Sequence, residues 1–519
     1  MTNTQILRAG AGIAFAMTLA ACNSDKLTAL NKNPNSPEDV PAGPLFTNAA
    51  RVAASRWLGT TYSLRQTEWL SQHLSEVQYN DEDRYIRLHA GDTEGSFNGA
   101  YSGELKDFTQ IITKGIASAQ AGTYGPASVM RTWEFSYLTN TWGDIPYFTA
   151  LGGDSIGGSL SPKYDAQKDI YTDMFAQLDK ATKAMAASGV TNSLSSADPV
   201  FAGSPLRWER FANSLRARLA LQLINVDPAT ANAQLAAAFS APGGVFQSNA
   251  DNAIFKFPGD GVYDNPWAVN FKTRDDHRMS NTIMNLLIGN ADPRLPIFAQ
   301  PTPANPAVYA GSPNGISPAR AAAGNYIVNA SRPGAIFYPG KTAYGTFGSS
   351  GSSLPSYMMT YAEVAFIQAE AAQRGLGGLN AGQAAGFYNA AIAASMSQWG
   401  VSTANAAAFV AQPGIVYAGG TAGLVQIGQQ KWLALFTDGG TAWSEWRRTC
   451  QPATIKPGID ASRSNVPRRF EYAVLEYTVN EINVTAAGTA IGGDNYDSRM
   501  YWDKTPTAAP TYVAGCGAR

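Results

Sequence analysis

The sequence predicts a mostly α-helical protein, a tetratricopeptide-like helical stack that carries a large loop-rich second lobe. Three observations lead there. Apolar residues recur at three- and four-residue spacing through most of residues 45–240 and again after residue 358. Between them, residues 240–275 and 299–357 are dense in Gly, Pro, Ser and aromatic residues and hold few helical periods. The helical stretches also fall in neighbouring pairs, each able to bury its apolar face only against the next. The tetratricopeptide signature itself is poor, so periodicity alone supports a mostly α chain with a loop-rich insert.

Residues 1–21 read as a lipoprotein signal peptide. Arg8 gives one positive charge, and Ala9 to Ala21 follow without any. That run is shorter than the ~20 residues a bilayer span needs and fits a secretory segment. It ends in Leu19-Ala20-Ala21-Cys22, a bacterial lipobox whose small residues admit the signal peptidase and whose Cys22 thiol takes the lipid. Residues 22–44, rich in Asn, Pro and Ser, read as a lipidated extended tether. The main domain is expected over 45–519, with a helical scaffold over about 45–240 and 358–450. The loop-rich lobe takes about 241–357 plus the C-terminal tail.

Helices are expected over Leu45–Trp57, Leu64–Val77, Phe108–Ala119, Ala127–Thr139, Ile170–Ala187, Trp208–Leu223 and Ala229–Phe239. More follow at Ile283–Leu287, Thr360–Arg374, Gly382–Gln398 and Leu424–Phe436. Asp227-Pro228 and Asp292-Pro293 mark boundaries, because Asp caps and Pro cannot continue a preceding helix.

With 38 basic and 39 acidic residues the net charge is −1, which argues against nucleic acid as a partner. Charged residues are only 15% of the chain, against ~25% in an average soluble domain. Neutral polar residues, 50 Gly, 11 Trp and 23 Tyr take up the difference and suit uncharged polar ligands.

No catalytic constellation stands out. The three His residues, His73, His89 and His277, form no H-E-x-x-H. Gly153-Asp154-Ser155-Ile156-Gly157 matches a nucleophile elbow in letters but lies among glycines, without the strand and helix such an elbow needs. Asp81-Glu82-Asp83 and Asp275-Asp276 carry the carboxylates a glycosidase would use as a pair, yet neighbours in one run seldom face each other across a substrate. Charge partners for Arg84 and Arg274 are the expected role. Calcium at Asp81 and Asp83 lacks an EF-hand frame, so neither metal nor cofactor is expected. Cys450 and Cys516 are free to pair in an exported protein, but spacing does not decide it.

Several blocks together resemble the SusD/RagB family. Asn33-Pro34-Asn35-Ser36-Pro37 is similar to its start, and Trp142-Gly143-Asp144-Ile145-Pro146-Tyr147 to its "WGDVPY" turn. Trp208-Glu209-Arg210-Phe211-Ala212-Asn213-Ser214-Leu215-Arg216 and Asp292-Pro293-Arg294 follow in order. So do Met359-Thr360-Tyr361-Ala362-Glu363, Lys431-Trp432, Trp443-Ser444-Glu445-Trp446-Arg447-Arg448 and Pro467-Arg468-Arg469-Phe470. The resemblance implies about four tetratricopeptide-type helix pairs. It further implies an outer-membrane lipoprotein that binds oligo- or polysaccharide at the cell surface and serves a SusC-like TonB-dependent transporter. Low charge and Ala-rich helices depart from the usual Lys- and Asn-rich members.

Trp208, Trp432, Trp443 and Trp446 are expected in the core. Glu363 and Glu370 are expected to pair with Arg447 and Arg448 between helices. Ligand residues are expected on two loops, from Tyr79, Asp81, Asp83, Arg84 and Tyr85 and from Tyr263, Asn265 and Trp267. Rings there would pack on sugar faces beside hydrogen-bonding groups. A binder of peptides and a surface glycoside hydrolase using Asp83 or Asp276 are the alternatives.

Overall fold

A computed structural model describes residues 40–86, 90–153, 157–187, 189–191, 193–342, 345–346, 351–504 and 516. Cys22, residues 23–39 of the tether, His89 and Asp154-Ser155-Ile156 lie outside the described residues.

The first helices are α1 (Ala42–Trp57), α2 (Ala90–Ser102), α3 (Glu104–Ala117), α4 (Ala121–Trp142), α5 (Gln167–Met185), α6 (Pro205–Gln222) and α7 (Pro228–Ser240). α1 buries Ala49, Ala50, Ala53 and Ala54 between Phe46 and Trp57, and this alanine stripe lets α3 approach closely. From α3 to α7 each helix packs on the one after it. Two starts follow from local chemistry. Ser204 accepts a hydrogen bond from the Arg207 amide with Pro205 in the first turn, and Asp227 does the same for Thr230 with Pro228.

The chain then leaves the stack through α8 (Pro266–Phe271) and α9 (Asn281–Gly289). It returns with α10 (Tyr361–Arg374), α11 (Ala381–Gln398), α12 (Thr403–Val410), α13 (Gly420–Ala434) and α14 (Gly439–Thr449), and α15 (Glu481–Ala490) follows in the tail. α10 packs on α6, α11 and α13, which joins the two helical portions. Thr360 caps α10 and left-handed Gly375 ends it, at φ 67°.

Strands are few and short. β1 (Leu74–Glu76), β2 (Ile145–Pro146), β3 (Tyr164–Asp165), β4 (Ala253–Phe255), β5 (His277–Met279), β6 (Lys341–Thr342), β7 (Gly345–Thr346) and β8 (Ser356–Met359) form antiparallel pairs β1–β5, β2–β3, β4–β8 and β6–β7. The β4–β8 pair closes the excursion, with Ala253 opposite Met359 and Phe255 opposite Ser356.

The helix expected over Leu64–Val77 stops at Leu70. Thr60–Thr67 winds as a π-turn, Glu68–Leu70 adds one α-turn, and left-handed Gln72 (φ 56°) ends it before β1. The cause is tertiary. Leu74, Ser75 and Glu76 take Met279, Arg278 and His277 as partners, and strand pairing overrides the local helical period. α2, α8, α12 and α15 were not expected, because their Gly content or brevity hides the period. α1 begins at Ala42, inside the 22–44 stretch read as a tether.

Trp208, Trp432, Trp443 and Trp446 are all buried. The buried ion pairs differ in part from expectation. Arg448 Nη1 and Nη2 donate to Glu370 at 2.8 and 2.7 Å, and Nη2 also donates to Glu445 at 2.7 Å. Lys431 Nζ lies 3.1 Å from Glu445. Glu363 instead takes Arg218 of α6, at 2.6 and 2.5 Å. Arg447 serves carbonyls, donating to Arg468 O at 2.7 Å and Asn140 O at 2.8 Å. Cys450 and Cys516 are disulfide-bonded, with Cα atoms 5.4 Å apart. Among the described residues no helix is long and apolar enough to cross a membrane.

Burial alone would raise the Glu370 pKa, but Arg448, Arg374 and Lys431 outweigh it and hold the carboxyl well below its usual range. A depressed folded-state pKa contributes stability above the ordinary carboxylate value, about 4.5, that is lost as pH falls through the folded value. Glu370→Gln should therefore cost about 3–5 kcal/mol at pH 7 in urea unfolding. Its stability should also fall less between pH 5 and 3 than that of the wild type. Equal stability and an equal acid limb would refute this role.

Candidate ligand cleft

Three distant stretches meet around an open cleft of about 440 Å³. α9 supplies Asn281, Thr282, Asn285 and Leu286, whose one- and four-residue spacing puts them on one helix face. Pro313, Asn314 and Ile316 form a second wall, and Thr454, Lys456, Pro457, Gly458 and Ile459 a third. Gln72 joins two of them. Its Nε2 donates to Lys456 O at 2.6 Å, and its Oε1 accepts from Thr282 Oγ1 at 2.8 Å.

The 78–86 loop stands behind this cleft as a bracket. Asn80 Nδ2 donates to Ile316 O at 2.5 Å, and Arg84 Nε donates to Asp460 O at 3.1 Å. Buried Asp83 accepts from Asn314 Nδ2 at 2.8 Å and from the Gly315 and Glu76 amides at 3.1 and 3.2 Å. Asn314 Nδ2 also donates to Leu74 O at 2.7 Å, which ties the wall to β1. Behind the floor, Gly458 crosses Asn314-Gly315 so closely that a Cβ there would meet Asn314 O at 2.0 Å.

The lining is side-chain amides, hydroxyls, Pro and Ile faces and one ammonium, Lys456. Amides donate and accept at once, so the cleft is equipped for an uncharged ligand with many hydrogen-bonding groups and apolar patches. A larger groove of about 630 Å³ runs between α11 and α12, but its walls are mainly Ala and Val. Among the described residues no group of three or more His, Cys, Asp or Glu is placed to hold a metal ion.

Of the residues expected to touch ligand, Asp83, Tyr85, Asn265 and Trp267 are buried. Asn265 Nδ2 donates to Leu354 O at 2.9 Å, and Trp267 Nε1 donates to Leu58 O at 3.1 Å. Rings beside hydrogen-bonding groups in these loops suggested a stacking platform, but the Tyr85 and Trp267 rings pack into the core. Tyr79 is 70% exposed, with the Arg274 guanidinium 4.8 Å from its ring centre. Tyr263 is 47% exposed, beside Arg51 at 5.2 Å. Asp81 is exposed and Arg84 half-buried, 3.8 Å apart. None of these lines the 440 Å³ cleft, nor does any aromatic ring.

Gln72, Asn281, Asn285 and Lys456 were missed. The helix was expected only over Ile283–Leu287, and its two earlier residues bring Asn281 onto the face of Asn285. The acidic runs form no open pair. Asp275 is bidentate to Arg332 at 2.6 Å on both oxygens, and Asp276 takes Arg274 at 2.6 Å and His277 at 3.1 Å.

Burial pushes the Asp83 carboxyl up to about 7, against the pull of its three donors. A raised folded-state pKa means that proton uptake favours the folded chain, fully below the ordinary value of 3.8 and no longer above about 7. Hydrogen exchange of the 313–317 peptide should show opening harder by about 1 kcal/mol at pH 6 than at pH 8, because opening returns the carboxyl to its ordinary range. Asp83→Asn should abolish the difference. A wild-type peptide protected alike at both pH values would contradict this.

The comparisons agree with this architecture. A model of SusD-like proteins, described as starch-binding and associating with the outer membrane, matches residues 34–473. The structure is similar to a chitin-binding protein at 26% identity and TM-score 0.76, covering 90% of this chain and 100% of that one. A chitin-binding SusD homolog from Flavobacterium johnsoniae is similar at 25% identity and TM-score 0.75, covering 89% and 98%. A SusD homolog from Bacteroides uniformis shares the fold at 23% identity and TM-score 0.74, covering 90% and 100%. No match is found among curated proteins. With its helical stack, its loop-rich excursion and a family match that runs through both, the chain belongs to the SusD-like family.

Proposed function

We propose that this protein captures neutral oligo- or polysaccharide in the cleft between α9 and the 454–459 loop. It does so as a Cys22-anchored lipoprotein at the cell surface, and it passes the glycan to a SusC-like TonB-dependent transporter. The observation that carries the reading is the cleft lining, where Asn281 and Asn285 offer uncharged donors and acceptors beside Pro and Ile faces, with Gln72 bracing Thr282 and the Lys456 carbonyl behind them. Sugars present that same mixture of hydroxyls and C–H surface. Chitin-binding neighbours at 26% and 25% identity make chito-oligosaccharides the first ligands to try.

The reading is of a binder and not an enzyme. The carboxylates that could serve a hydrolase, Asp83, Asp275 and Asp276, are engaged in internal hydrogen bonds, and none of the three lines the cleft. Tyr79 extends the reading outward. It adjoins Asn80, which holds the Ile316 wall, and its exposed ring is proposed to meet the next units of a longer chain.

Calorimetry with chitohexaose tests the site. Asn281→Ala/Asn285→Ala should weaken binding by about 5- to 150-fold, from two lost hydrogen bonds of about 0.5–1.5 kcal/mol each. Tyr79→Ala should weaken long oligomers more than short ones. Binding of peptides with none of any glycan, or a double variant that binds as tightly as wild type, would overturn the site. Cys22→Ser should abolish lipid labelling in cells, and wild-type membranes should yield a co-purifying outer-membrane barrel. A mature chain without lipid would end the anchoring claim.

A further inference from the structure

A small cavity of about 20 Å³ lies where α4, α6, α14 and the 60–67 π-turn meet. Tyr62, Ser136, Arg218, Gln222, Ser444 and Glu445 line it, and all six are buried. Gln222 sets the question that the cavity poses. It is only 3% exposed, and its buried Nε2 donates to no group among the described residues. An amide N–H in that position has given up its bond to solvent and needs an acceptor from elsewhere.

The hydroxyls around it have the opposite surplus. Ser136 gives its proton to Trp133 O at 2.6 Å, and Ser444 gives its own to Gly440 O at 2.9 Å. Tyr62 OH and Thr141 Oγ1 lie 2.6 Å apart. The Thr141 proton goes to Tyr137 O at 2.7 Å, so the bond between the two hydroxyls uses the tyrosine's proton. All three lining hydroxyls have spent their protons and keep lone pairs. Ser444 uses one of its two on Arg447 Nη2, at 2.8 Å, and has one left. The occupant that fits accepts from Gln222 and donates to hydroxyl oxygens.

Charge and size narrow it further. Arg218 is forked onto Glu363 at 2.6 and 2.5 Å, and Glu445 is held by Arg448 at 2.7 Å and Lys431 at 3.1 Å. The charged walls are therefore already neutralised, and an ion would bring an unbalanced charge into a buried space. An anion would also face the hydroxyl lone pairs, and a metal cation the Gln222 N–H. One water needs about 10–15 Å³ of such space, so the cavity takes a water and is too small for an organic molecule.

We infer that this cavity is a binding site for one internal water, which accepts from Gln222 Nε2 and donates to the hydroxyl oxygens of Tyr62, Ser136 or Ser444. The water fastens α6 to its neighbours beside Glu445, on the same helix that Arg448 pins to α10. The site is separate from glycan capture, because none of its residues lines the cleft.

A crystal structure at about 1.5 Å resolution tests it. A peak should stand about 2.7–3.2 Å from Gln222 Nε2 and refine as a fully occupied water. Gln222→Met keeps the chain length and removes the N–H, and it should lose the peak. In solution, oxygen-17 relaxation dispersion of water should fall in that variant by the amplitude of about one long-lived molecule. Absence of density in the wild type, or a peak that gains an anomalous signal in bromide or rubidium, overturns the water site. A folded Gln222→Met variant that keeps both the peak and the dispersion overturns it as well. Should that variant fail to fold, the wild-type map decides the matter by itself.

Discussion

Arg448 is the constraint on which the cleft depends. Its guanidinium lies buried at the end of α14, forked onto Glu370 of α10 and shared with Glu445. Three helices are pinned at one point, with Lys431 of α13 completing the charge balance. From the end of that pinned helix the chain runs through residues 451–462, which supply one wall of the cleft. A planar fork suits this position because it fixes direction as well as distance, which an ammonium would not. The rigid solenoid therefore sets the aim of an irregular loop.

A second buried charge sets the opposite wall. Asp83 gathers Asn314, Gly315 and Glu76, and so ties an early loop to the middle of the chain. Asp460 closes the circuit by accepting from the Ser317 amide at 2.7 Å, while its carbonyl takes Arg84. The irregular lobe is thus held by buried and half-buried polar anchors, and its free amides face the opening. That arrangement fits a surface that must bind without changing shape.

Much of the helical fold is legible in the sequence, because its determinants are local. Asp227-Pro228, Thr360 and Gly375 state where helices begin and end, and the structure puts them there. Charge partners are half legible. The chain reveals which residues need partners, but it was three-dimensional packing that sent Glu363 to Arg218 and not to Arg447. Leu64–Val77 is misread because β1 finds its partner some two hundred residues away. The site is the least legible part. Tyr85 and Trp267 look like ligand platforms in a loop, yet burial is not written in a loop's composition, whereas Asn281 and Asn285 look ordinary until two distant walls close over them.

The account's central claim is that the α9 amides and the 454–459 loop grip the glycan while the 78–86 loop supports them from behind. Hydrogen-exchange mass spectrometry with and without saturating chitohexaose tests it most directly. Protection should rise in peptides spanning 281–286 and 454–459, with no change across the groove at 389–410. Protection confined to that groove, or found only around residues 260–267, would contradict the claim.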